Sequence, residues 1–209
     1  MGDFADKSNF GDQAHLFFTR HGSVESFPLP GDRRRWVVQT EEKLAQVPPR
    51  FLPEEVRRRT GINLDGCETY FTSSYAVGRL LAKQYHDGRI ALCGDAAHLM
   101  SPVGGQGMNV GFADAAWLAT VLIACCREGA EAEPLLTNYG QNRRKAARIA
   151  TGRAARGMWL GTRRGRLSCL WRDPLLRLLL APPLRRWLPP YFAMLTLPNT
   201  LPAGGYPCR

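Results

Sequence analysis

No G-x-G-x-x-G occurs anywhere in the 209 residues. The glycine loop that seats a dinucleotide pyrophosphate at the start of a βαβ unit is therefore missing from the chain. The nearest approach, Gly105-x-Gly107-x-x-x-Gly111, comes ten residues after Asp95, whereas the fingerprint has to follow its strand directly. No C-x-x-C occurs either. The six cysteines are separated by 26, 32, 1, 43 and 39 residues, which excludes a zinc ribbon and a disulfide scaffold and leaves reduced thiols in a cytoplasmic setting as the expectation. The opening Met1-Gly2-Asp3-Phe4-Ala5-Asp6 puts acids where a secretory signal needs bases, and it lacks the Ser or Thr at position 6 of a myristoylation signal. No apolar run approaches the ~20 residues of a membrane span. Acids are scarce late in the chain: from Gln141 to Arg209 there are 14 Lys/Arg and one acid, Asp173.

With 44% hydrophobic and 22% charged residues, the chain can bury a sizeable core and is not disordered throughout. Its net charge of +10 belongs to the tail, because the first 140 residues carry 14 basic and 17 acidic groups. Basic tails meet anionic lipid or nucleic acid, or simply form a solvated helix face. Nucleic acid is not an expected partner of this chain.

The runs HLFFT (15–19), SVESF (23–27) and RRWVVQT (34–40) are rich in β-formers and separated by the turns Arg20-His21-Gly22 and Pro28 to Asp32. Together they predict an antiparallel meander. Glu41 to Thr60 is helical in pattern but broken by Pro48, Pro49 and Pro53, so only Glu54 to Arg59 is expected as a short surface helix. Glu68 to Ala76 has strand composition. Arg89 to Cys93 is a short apolar run suited to a buried strand. Met108 to Arg127 reads as a helix, apolar nearly all round and so expected to be buried, with Gly129 as its C-terminal cap. A second, basic amphipathic helix is expected from Pro134 to about Arg164, then short helical pieces between Leu167 and Leu197.

The chemistry concentrates in Arg89 to Ala115, RIALCGDAAHLMSPVGGQGMNVGFADA. A strand ends in Gly94-Asp95, a loop of small residues follows, and a helix begins. A carboxylate at such a strand end can accept hydrogen bonds from ligand hydroxyls. Gly104, Gly105 and Gly107 would let a planar ligand lie against backbone. The helix start offers free N–H groups and about +0.5 of an elementary charge, favouring negative charge on a bound ring.

Gly94-Asp95-Ala96-Ala97-His98, Pro102, Gly104-Gly105-Gln106-Gly107-Met108-Asn109 and Asp114-Ala115 resemble the second flavin-binding motif of the FAD-dependent monooxygenases related to para-hydroxybenzoate hydroxylase. Looser similarity runs from residue 12 to about 155, through Ser26 to Pro30, Arg35-Trp36, Arg79, Gly88-Arg89, Tyr139, Arg143-Arg144 and Ala147-Arg148. The resemblance implies an α/β architecture: an antiparallel substrate-domain sheet followed by the C-terminal strand and helices of an FAD-binding, Rossmann-like domain. It divides the chain into a partial substrate-binding domain (1–87), the C-terminal part of the FAD-binding domain (88–160) and a basic, Leu/Pro-rich helical tail (161–209). It implies FAD as cofactor, NAD(P)H as reductant, and an aromatic or isoprenoid substrate that is hydroxylated. Asp95 would bind the ribityl chain, Pro102 to Asn109 would flank the isoalloxazine, and amides near Met108 and Asn109 would stabilise the reduced flavin.

Family members also open with the βαβ unit that this sequence lacks. The resemblance therefore implies a truncated chain, a mis-called start or half of a split enzyme with an N-terminal partner chain. A non-catalytic remnant, a partner-dependent FAD-binding subunit, and a related reductase or halogenase stay open. Each site residue also has a bland reading: Asp95 as a cap on local amides, the glycines as ordinary turns, His98 as packing, Cys125-Cys126 as core, and Asp114 as the anchor of the glycine loop. No catalytic or metal-binding residue is assigned. The tail mixes Leu175 to Leu180, Trp187, Tyr191 and Phe192 with Arg172, Arg177, Arg185 and Arg186, which suits peripheral contact with an anionic membrane or packing on the flavin domain.

Overall fold

The computed structural model describes residues 1–102, 106–187, 190–191 and 197. The chain divides into two compact units. The first comprises Met1–Ala76 with Trp159–Leu178; the second comprises Val77–Met158 with the described residues beyond Leu178.

The first unit is an antiparallel sheet of β1 (Gly2–Ala5), β2 (His15–Thr19), β3 (Gly22–Leu29), β4 (Arg33–Val38) and β5 (Thr69–Thr72), in the order β2-β3-β4-β1-β5. The meander β2-β3-β4 forms where the aromatic and β-branched runs predict it, with Phe17 opposite Val24 and Ser26 opposite Trp36. Strand β1 is an addition. Four residues, two of them Gly and Asp, carry no strand signal, and their conformation is decided by pairing with both β4 and β5. Helix α1 (Phe51–Thr60) sets Leu52 and Val56 on Phe4, Val24 and Trp36. It starts earlier than the prolines suggest. Pro53 falls in the first turn, where an N–H has no intrahelical acceptor to lose.

Two carboxylates tie this sheet together. Arg35 donates to both oxygens of Asp3, at 2.7 and 2.9 Å, and this holds the Asp3 carboxyl below its ordinary pKa of 3.8. At Asp6, burial pushes the pKa up, but hydrogen bonds from Ser8 and Arg34 outweigh it and hold the group low. Both groups have native pKa values below those of the unfolded chain. Their contribution is complete above about pH 4 and is lost as pH falls through the depressed native values. The urea midpoint at pH 3 is expected to lie well below that at pH 6, and Asp3→Asn should reduce the difference.

The described residues of the second unit form the two-residue strands β6 (Leu80–Leu81), β7 (His86–Asp87), β8 (Ile90–Ala91) and β9 (His98–Leu99). They form two antiparallel ladders, β6 with β9 and β7 with β8. A 3₁₀ turn, Gly94–Ala96, precedes β9, and two long helices follow, α2 (Gly107–Glu128) and α3 (Ala132–Gly161). Their shared core includes Val110, Trp117, Val121, Leu136, Tyr139, Ala147 and Ala150. Trp117 meets Tyr139 edge-on at 6.4 Å.

Two expectations for this unit are corrected. The Arg89–Cys93 run is not a buried strand: only Ile90 and Ala91 pair, and Ile90 is 68% exposed. A short apolar run is buried on both sides only between neighbouring strands, and among the described residues its ladder is with β7 alone. Helix α2 is present at the predicted position, but it is not buried all round. Val110, Asp114, Trp117 and Val121 form the buried stripe, while Met108, Phe112, Leu122 and Ile123 face outward. The statement that no apolar run reaches membrane-span length is also corrected. Gly107–Arg127 is long and apolar enough by length and composition, with mean hydropathy 1.6, a test that the core helix of a soluble protein also passes. The tail likewise departs from short pieces: α4 (Arg166–Leu180) runs 15 residues with Pro174 inside it. The five cysteines among the described residues are free thiols.

Candidate functional site

The 3₁₀ turn and the start of α2 are brought together by close backbone contact and one buried carboxylate. Gly94 has φ +60°, open to glycine at no steric cost. A Cβ placed on Gly111, one turn into α2, would stand 3.3 Å from the Gly94 Cα. The turn therefore lies directly on the helix backbone.

Asp114 sits beneath this contact, fully buried. Its Oδ2 accepts from the Gly94 backbone N–H at 3.3 Å and from His98 Nε2 at 2.7 Å. Its Oδ1 accepts from Arg143 Nε at 2.6 Å. Arg143, on α3, also donates to the Val110 carbonyl at 3.2 Å. One carboxylate thus joins the turn, β9, α2 and α3. The sequence reading had Asp114 as the anchor of the glycine loop; it did not find Arg143 as the partner. The available signal was the spacing of Arg143 from Tyr139, Ala146 and Ala147, which puts a charge on the apolar stripe of α3.

His98 is buried, and its Nδ1 has no hydrogen-bond partner among the described residues. Its ring stacks near Tyr85 at 6.5 Å. Burial, with Asp114 nearby, drives the Tyr85 phenol well above its usual range and raises the Cys93 thiol. Burial does the same to Tyr139, whose hydroxyl donates to the Leu92 carbonyl at 2.7 Å. All three stay protonated at neutral pH, so neither a phenolate nor a reactive thiolate is present here.

Of the residues singled out in sequence, Gly94 and Asp95 lie in the turn. The Asp95 carboxylate is exposed and makes no hydrogen bond or ion pair among the described residues. Pro102 is exposed. Gln106 caps the start of α2, and its Oε1 accepts from Asn109 Nδ2 at 2.9 Å. Gly107 opens the helix, and Met108 and Asn109 are exposed on its first turn, with Met108 at 67%. The first intrahelical bond runs from Val110 N–H to the Gln106 carbonyl, so the N–H groups before Val110 have no intrahelical acceptor. Gly104 and Gly105 lie outside the described residues.

These features suit the part of FAD that carries its hydroxyls and ring. An open carboxylate acceptor stands beside a helix N-terminus, on backbone bared by two glycines. Residues 7–154 match the family model described as FAD binding domain. An uncharacterized aromatic compound monooxygenase of Bacillus subtilis is 37% identical over 135 residues, covering 62% of this chain and 27% of that protein. A ubiquinone hydroxylase of Rhodospirillum rubrum is 38% identical over 135 residues, covering 61% and 31%. Among solved structures, p-nitrophenol 4-monooxygenase from Pseudomonas putida superimposes with TM-score 0.74 at 25% identity, covering 92% of this chain and 51% of that one. The chain spans about a third or less of the length of these curated relatives. The chain belongs to the FAD-binding domain family.

Proposed function

We propose that the turn at Asp95 and the start of α2 hold the ribityl and isoalloxazine parts of FAD in an enzyme that hydroxylates an aromatic or polyprenylated ring at the expense of NAD(P)H. The observation that carries this reading is the exposed Asp95 carboxylate, without a protein partner among the described residues, standing beside the N-terminus of α2. In this reading Asp95 accepts hydrogen bonds from the ribityl hydroxyls. Gly94 and Gly107 keep side chains out of the approach, and Pro102 with Gln106 borders the ring. The backbone N–H groups of Met108 and Asn109, with the positive end of the helix, favour negative charge on the ring. Bound flavin would supply the redox chemistry. Residues 1–87 would face substrate, and residues 88–160 would face the cofactor.

The exposed apolar side of α2 and the exposed Ile90 favour a refinement of this reading. A partner segment carrying the pyrophosphate loop, on this polypeptide or another, would complete the FAD site. The test is titration of the 209-residue protein with FAD, followed by quenching of flavin fluorescence. Saturable binding is expected, weakened about tenfold or more by Asp95→Ala through loss of charge-assisted hydrogen bonds. Binding that Asp95→Ala leaves unchanged would remove Asp95 from the site. Absence of binding both alone and beside the missing segment would overturn the reading.

A further inference from the structure

We infer that the outer face of α4 is a docking surface for an anionic lipid membrane. The helix is fixed from its other side. Arg172 is buried and donates to the Phe18 carbonyl at 2.9 Å, the Thr19 carbonyl at 3.3 Å and the Arg163 carbonyl at 2.9 Å. Its charge is met by Asp173 at 2.9 Å. At the end of α3, Gly161 lies against the Phe18 ring so closely that a Cβ there would stand 2.5 Å from it.

With Arg172 turned inward, the opposite face carries Leu167, Leu170, Trp171, Pro174 and Leu178. Lying three, four, seven and eleven residues after Leu167, the others share one side of the helix with it. Leu167 and Leu170 are 81% and 70% exposed, and Trp171 and Leu178 are exposed beside them. The stripe is extended by Trp159, whose ring lies 5.7 Å from that of Trp171, with the Arg163 guanidinium 4.1 Å above it.

The charge around this stripe selects its occupant. Residues 159–178 contain five arginines and one acid. Arg164 is taken up by Glu41 and Arg172 by Asp173, while Arg177 stands exposed next to the stripe. A second copy meeting this face about a two-fold axis would oppose like charges, which is unfavourable. A bilayer with anionic headgroups satisfies every part: leucines enter the acyl boundary, tryptophans sit at headgroup level and arginines meet phosphate.

The experiment is co-sedimentation of the full 209-residue protein with phosphatidylcholine vesicles, with and without phosphatidylglycerol. Light scattering of the protein alone is recorded in parallel. Binding is expected only with phosphatidylglycerol, and it should fall about tenfold or more in the double variant Leu170→Glu, Leu178→Glu. Leu170→Ser, Leu178→Ser replaces that variant if its circular dichroism shows loss of fold. The proposal is overturned if vesicles do not bind, or if both variants bind like the parent. It is also overturned if binding is abolished instead by Phe112→Glu on α2, or if the stripe variants split a dimer in a protein that never sediments with vesicles.

Discussion

Asp114→Ala is expected to lower the unfolding free energy by roughly 3–5 kcal/mol, the usual cost of removing one partner from a buried ion pair. Against the ~5–15 kcal/mol typical of a whole domain, this is among the largest single losses the protein can suffer. The substitution leaves the Arg143 guanidinium buried without its counter-charge, removes the acceptor of His98 Nε2, and frees the Gly94 N–H. Urea unfolding followed by circular dichroism measures it. Arg143→Met should produce a loss of the same order, because it strands the carboxylate instead. The double variant Asp114→Ala, Arg143→Met should cost less than the sum of the two, since the partners vanish together. Equal and additive losses would show that the two side chains do not depend on one another. Asp114→Asn keeps the shape and one acceptor oxygen, so it should fall between wild type and Ala.

Arg34→Met is the second large effect, at about 3 kcal/mol, read from the urea midpoint at unchanged slope. Arg34 has no exposed surface, yet it carries a charge on the inward face of β4, opposite Phe4 of β1 and Pro28 of β3. Its guanidinium donates to Asp6 Oδ2 at 2.7 Å, to the Gln13 carbonyl at 3.1 Å, to Ser26 Oγ at 3.2 Å and to the Gly11 carbonyl. Methionine fills much of the volume but leaves those acceptors unpaired. Lysine keeps the charge without the planar fork and should recover little of the loss. A change under ~0.5 kcal/mol for Arg34→Met would mean that this network contributes nothing net.

Arg34 also marks how far the sequence could be read. The β2-β3-β4 meander was legible because aromatic and β-branched runs alternate with unmistakable turns. Period two was legible as well: Arg34, Trp36 and Val38 share one face. A charged residue in that register reads as solvent-facing, and only the convergence of the 6–13 segment beneath it makes burial affordable. The strand β1 was hidden because its conformation comes from partners far along the chain. In the second unit, α2 was legible by composition, yet its one-sided burial was not. An all-apolar helix gives no indication of which side its neighbours will cover. The Gly-Asp turn and the start of α2 were recognised as one motif. What joins them, Asp114 with His98 and Arg143, spans 46 residues of sequence and could only be seen once α3 was laid against α2.

The contact between Gly94 and Gly111 bears on how this protein could be engineered. The two positions resist change for different reasons, one by backbone handedness and the other by lack of room for a methyl group. On the proposed reading of the site, a mutational library aimed at altering cofactor preference gains nothing by randomising either. The informative diversity lies at Asp95, Ala96, Met108 and Asn109, whose side chains can vary while the frame beneath them stays intact.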